Sequence, residues 1–142
     1  MEAPKLIYLI EDDLISATIT EMVLNNVLDG IQVEKFTNGQ LALDHLTAAQ
    51  DDGQQLPDLV LLDLDMPVMD GWDFLDACAE RGGSAAGRVF VLTSSIHRDE
   101  LARFAQYPAV QGYFAKPLDA TNAARIRRLL GVAPAAHPSR PA

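Results

Sequence analysis

Five short apolar runs alternate with stretches of helical periodicity, and this alternation restricts the fold more than any other feature of the chain. The runs are Lys5 to Glu11 (KLIYLIE), Ile31 to Phe36, Leu59 to Asp63 (LVLLD), Val89 to Leu92 and Gln111 to Ala115. Short, unbroken runs of this kind read as strands buried on both faces. Between the first two, Ile15, Ile19, Met22, Val23 and Val27 recur at helical spacing and predict an inward stripe, ended by Asp29-Gly30. Thr37-Asn38-Gly39 opens a second helix with Leu43, Leu46 and Ala49 as its apolar side. A third helix carries Trp72, Leu75, Cys78 and Ala79 inward, and a short fourth, Arg98 to Gln106, carries Leu101 and Phe104. The last, Asp119 to Leu130, turns Ile126, Leu129 and Leu130 inward and Arg125, Arg127 and Arg128 outward. No hairpin signal joins any two strands. The expected class is α/β: a doubly wound (βα)5 parallel sheet, with right-handed crossovers favouring strand order 2-1-3-4-5.

Size and composition agree with one domain. The chain has 142 residues, 49% hydrophobic and 22% charged, which is globular composition. Residues 1–130 read as the domain, and 131–142 (GVAPAAHPSRPA) as a disordered tail, because proline and glycine interrupt any apolar period. The apolar start LIYLI is too short for a signal peptide or a membrane span. A single cysteine, Cys78, rules out an internal disulfide and suits a reducing compartment, so the cytoplasm is the expected location. A net charge of −9 leaves no global footprint for nucleic acid.

Function follows from where the strands end. Asp63 closes the third run, at the carboxyl end of a strand, where open α/β sheets place their ligands. Such a carboxylate is a nucleophile, a metal ligand or the cap of the next helix. In the order 2-1-3-4-5 the first and third strands are neighbours, so Glu11-Asp12-Asp13 and Asp63 converge on one pocket. So many carboxylates repel one another unless a cation sits among them. Oxygen ligands without His or Cys favour a hard ion such as Mg²⁺, which commonly binds substrate phosphate. The Thr93 hydroxyl and the Lys116 ammonium, at the fourth and fifth strand ends, can serve a phosphoryl group. Asp63 then reads as the acceptor that attacks phosphorus.

The acidic pair after the first strand, Asp63 followed by Met66-Pro67 and Met69-Asp70-Gly71, Thr93, and Lys116-Pro117 together resemble the receiver domain of two-component response regulators, over roughly residues 5–130. The resemblance implies a flavodoxin-like fold and Mg²⁺-dependent transfer of phosphate from a histidine kinase or phosphotransfer protein onto Asp63. It also implies use of acetyl phosphate, slow self-dephosphorylation and no external substrate to turn over. Asp12 would ligate the metal directly, together with Asp63 and the backbone carbonyl of Asp65, with Glu11 acting through water. Asp13 is the third acid, and a shift by one residue would make Asp12-Asp13 the pair. A cis peptide before Pro117 is implied too. Thr93 and Tyr113 would form the switch, repacking the surface of helix four, strand five and helix five. Output would be a contact with a downstream protein, the chain being a monomer or a homodimer through that same surface. Asp65 puts a carboxylate where the family tolerates many side chains and Ser95 is small and polar; in receivers these two positions line the path of the hydrolytic water, which leaves the lifetime of the phosphate open.

Rival readings are weaker. Asp63-x-Asp65 also begins the motif of haloacid-dehalogenase-type phosphatases, but Pro67 stands where they need Thr or Val. A calcium loop fails on Val68 and Phe74. A binding module using the fold without phosphorylation is the alternative that only chemistry decides. Trp72 and Cys78 fit core positions, while His45, His97, His137 and the three arginines of the last helix read as solvated.

Overall fold

The computed structural model of the chain describes residues 3–64, 66, 69–80, 87–94 and 98–136. Ten elements alternate: β1 (Lys5–Ile10), α1 (Leu14–Val27), β2 (Ile31–Phe36), α2 (Gly39–Asp51), β3 (Leu59–Asp63), α3 (Gly71–Glu80), β4 (Arg88–Thr93), α4 (Arg98–Phe104), β5 (Val110–Ala115) and α5 (Ala120–Leu130). The strands form one parallel sheet in the order β2-β1-β3-β4-β5, as the alternation predicts.

Burial follows strand position. All of β3 is buried, and β1 and β4 are buried except for their first residues, whereas the edge strands β2 and β5 are only partly covered. Side chains alternate across the sheet. Tyr8, Ile10, Val60 and Leu62 face α2 and α3, against Leu46, Phe74 and Leu75. Ile7, Leu9, Leu59 and Leu61 face α1 and α5, against Leu24, Phe114 and Ile126. Each such side chain, fully buried, contributes roughly 1.5–3 kcal/mol, so two dry layers clamp the central strands.

Four expectations are corrected. The inward face of α1 is Ala17, Thr20 and Leu24, while Ile15, Ile19 and Met22 point to solvent at 71%, 44% and 58% exposure. Two apolar stripes run along this helix, and periodicity alone does not say which one meets the sheet. On α5 the inner residues are Ala123, Ile126 and Leu130; Leu129 is exposed, and Ala79 on α3 is exposed too. The start of the tail is also ordered. Gly131 caps α5 with φ 68°, Val132 joins the core on the α1–α5 side, and Pro134 bridges Leu28. Asp29 N–H donates to Ala133 O (2.9 Å), Ala135 N–H to Val27 O (2.9 Å) and Arg127 to Val132 O (3.2 Å). Composition predicts disorder here, but these bonds hold residues 131–135 against the end of α1 and the α1–β2 turn.

Candidate functional site

The strand register sets the site. Ile10 pairs with Leu62, Asp63 with Leu92 and Thr93 with Ala115. One step further along, Glu11, Asp63, Thr93 and Lys116 all emerge at the carboxyl edge of the sheet. Glu11, Asp63 and Thr93 are only 3%, 5% and 5% exposed, so polar groups line a mostly closed pocket. Asp12 is exposed at its mouth. The Lys116–Pro117 peptide is cis, and the Lys116 N–H donates to Thr93 O at 3.0 Å. The ammonium lies 2.5 Å from Glu11 Oε1 and 3.4 Å from Asp63 Oδ1.

Carboxylate oxygens of Glu11, Asp12 and Asp63 lie within 4.8 Å of one another. Among the described residues, one ammonium stands against these three acids. Burial pushes the Glu11 carboxyl up, but hydrogen bonds to Asp63 and Lys116 outweigh it and bring its pKa below the ordinary value. For Lys116, burial opposes the charge, while the Glu11 hydrogen bond and the Asp63 charge outweigh burial and raise its pKa. The pair is therefore ionised at neutral pH. An all-oxygen donor set with excess negative charge suits a hard dication of the Mg²⁺ class, and the donors present fit it.

The other candidates separate clearly. Asp13 is the N-cap of α1: its carboxylate accepts from Ile15 N–H (3.2 Å) and Ser16 Oγ (2.9 Å), and it is not a member of the acidic cluster. Asp70, whose Oδ1 accepts from Asp73 N–H at 2.9 Å, serves the start of α3 in the way a cap does. That leaves the capping role considered for Asp63 in other hands. Tyr113 on β5 is 44% exposed. Asp65, Pro67, Val68, Ser95, His97 and His137 lie outside the described residues.

Some roles were not foreseen. His45 is not simply solvated: its Nε2 lies 2.9 Å from Glu34 Oε2 and its ring packs on Tyr8 and Phe36. Trp72 is half-buried, stacked on Phe104 with Arg103 4.1 Å above its ring. The closeness of Lys116 to Glu11 was also missed, since spacing brings strand ends together without ranking contacts among them.

Residues 7–126 match the family model of the response regulator receiver domain. The chain belongs to the response regulator receiver family. Among relatives, it is 34% identical over 117 residues to the probable methanogenesis regulatory protein FilR2 of Methanothrix harundinacea, covering 82% of this chain and 75% of that one. Against some other regulatory relatives it spans only 42–50% of their length. The solved bacteriophytochrome response regulator AtBRR superposes with a TM-score of 0.76 at 26% identity, covering 97% of this chain and all of that one. The Mn²⁺-bound form of response regulator Rcp1 gives 0.69 at 25% identity, over 90% and 91% of the two chains. The fold is thus that of a CheY-like receiver, and its acidic cluster has the donors for a divalent cation. Among the described residues, no helix is long and apolar enough to cross a membrane.

Proposed function

We propose that the chain accepts a phosphoryl group on Asp63 from a histidine kinase or phosphotransfer protein, with Mg²⁺, and signals through a protein contact. The observation that carries this is the Lys116 ammonium held between Glu11 and Asp63 beside the three-carboxylate cluster, in a chain of the receiver family. Asp12, Asp63 and the backbone carbonyl of Asp65 would hold the ion, with Glu11 through water and Asp13 left to its cap. When bound, Mg²⁺ supplies positive charge to the phosphoryl oxygens. An Asp63 carboxylate oxygen attacks phosphorus and forms the O–P bond. The donor's P–N bond breaks (P–O in acetyl phosphate), its electron pair leaving with the donor. Lys116 neutralises charge on the transferred oxygens, and Thr93 donates its hydroxyl to one of them. Thr93 and Tyr113 then form the switch toward the α4–β5–α5 surface, which would meet the downstream protein or a second copy of the chain.

A protein donor must also cover the surface around the pocket. Ile15, Ile19 and Met22 form an exposed apolar strip there, and Ile19 lines a groove with Ser16, Thr20, Ser94, Lys116 and Pro117. Labelling with acetyl phosphate tests the chemistry. Acid-labile, Mg²⁺-dependent incorporation that disappears in Asp63→Asn supports it; an unlabelled wild type returns the chain to the class of receiver-fold modules that work without phosphate. Ile19→Lys is expected to slow transfer from a protein donor roughly ten-fold while sparing acetyl phosphate.

A further inference from the structure

Resting on the phosphoacceptor reading above and its switch at Tyr113, we infer that an aromatic clasp between α3 and α4 is a brake on that switch. Phe104 is the one buried residue of α4. Its ring stacks on Trp72 of α3, with centroids 5.2 Å apart, and Arg103 lies 4.1 Å above the same tryptophan. Tyr107 also packs on Trp72 (5.8 Å), and its hydroxyl donates to Asp76 Oδ1 of α3 at 2.5 Å. The Tyr107 N–H donates to Phe104 O (3.0 Å), so a single turn of chain carries both rings. On its inner side Phe104 shares a small core with Leu64, the residue after the acceptor, and Val91, two residues before Thr93.

The place that Phe104 fills is the one an inward Tyr113 needs. Val91 pairs with Tyr113 across β4 and β5. Paired residues of neighbouring parallel strands share a face, and the next pair, Leu92 and Phe114, both lie on the α1–α5 side. Tyr113 therefore projects on the α3–α4 side beside Val91, half-exposed where Val91 is fully buried. To turn inward, its ring must settle against Val91, and Phe104 already packs there. Protein interiors are close-packed, so a second ring enters only as the first gives way. Phe104 cannot retreat without leaving Trp72 and drawing Tyr107 off Asp76. The closed clasp thus favours the arrangement with Tyr113 outward. A phosphoryl group that draws Tyr113 inward works against the clasp, and by linkage a looser clasp binds that group more tightly.

The test is calorimetric titration of the full-length chain with beryllium fluoride, a phosphoryl mimic, at saturating Mg²⁺. Phe104→Leu, which keeps an apolar side chain and removes the ring, should bind the mimic roughly two- to ten-fold more tightly than wild type. Tyr107→Phe keeps both rings and loses only the tie to Asp76; it should shift affinity the same way, by about two- to five-fold. This second variant decides the matter should Phe104→Leu not fold. A purely structural role forecasts a different outcome: a lower melting temperature with affinity unchanged or weakened. Because the brake acts through Tyr113, neither substitution should alter affinity in a Tyr113→Ala background. Clasp variants that bind as wild type does, or more weakly, overturn the inference, and so does a gain that persists in Tyr113→Ala. A wild type that takes up no beryllium fluoride sinks the phosphoacceptor reading and the brake with it, whereas a binding wild type beside clasp variants of equal affinity sinks the brake alone.

Discussion

The acceptor pocket and the α4–β5 side of the molecule share β4 and the end of β5, which supplies Lys116, but are built differently. The pocket grows from β1 and β3, almost wholly buried strands, and its Glu11, Asp63 and Thr93 are themselves covered. On the other side α4 has seven residues with only Phe104 buried, β5 is an edge strand, and Leu101 and Tyr113 are 40% and 44% exposed. The chemistry thus stands on the stiff part of the fold, and the surface proposed to report it on the thinly packed part. Phosphorylation adds roughly −1.5 to −2 charges to the pocket. With the pocket fixed, the side with the fewest buried contacts is the one able to rearrange.

This contrast can be broken or sharpened by experiment. The largest expected effect is complete loss of labelling in Asp63→Asn, with melting temperature retained, because the amide keeps the shape and forfeits the nucleophile. Next is Lys116→Met, expected to slow labelling by acetyl phosphate about 10²- to 10³-fold while Mg²⁺ binding stays level or tightens, the ammonium no longer repelling the ion. Rates that fall only in step with Mg²⁺ affinity would reduce Lys116 to a structural ion pair. Hydrogen exchange should then separate the two regions: phosphorylation is expected to change exchange across residues 98–115 and leave β1 and β3 almost unaltered. Equal changes in both would erase the asymmetry.

The smallest effect concerns the core beneath the pocket. Tyr8 is fully buried, and among the described residues its hydroxyl has no hydrogen-bond partner. Burial, helped by the nearby Glu34 charge, pushes its pKa from 10.0 up to about 12. A folded-state pKa above the unfolded one means stability fully present below pH 10 and lost as pH rises through about 12. Tyr8→Phe should therefore be neutral or slightly stabilising at pH 7, and should remove on the order of 2 kcal/mol of alkaline stability loss seen by denaturant titration. A variant destabilised at neutral pH would reveal a partner for that hydroxyl.

The sheet was legible because its strands are unbroken apolar runs between helical periods, which leave few topologies. The converging acids were legible for the same reason: once strand order is known, strand ends are neighbours. The face of α1 was not, since Ile15/Ile19/Met22 and Ala17/Thr20/Leu24 are both periodic, and the sheet accepts the smaller set for close approach. Nor was the Gly39–Met69 contact, which joins residues thirty apart in sequence through a main-chain carbonyl that no side-chain pattern announces. Docking of Val132 and Pro134 escaped for a related reason, because it depends on backbone bonds to the α1–β2 turn.

The most direct measurement is to phosphorylate the chain with acetyl phosphate and Mg²⁺, reduce it with borohydride, and locate the product by peptide mass spectrometry. A phosphoaspartate becomes homoserine, and residue 63 alone is expected to convert. Phosphate found on Thr93, Ser94 or a histidine, or conversion that proceeds equally well without Mg²⁺, would contradict the account.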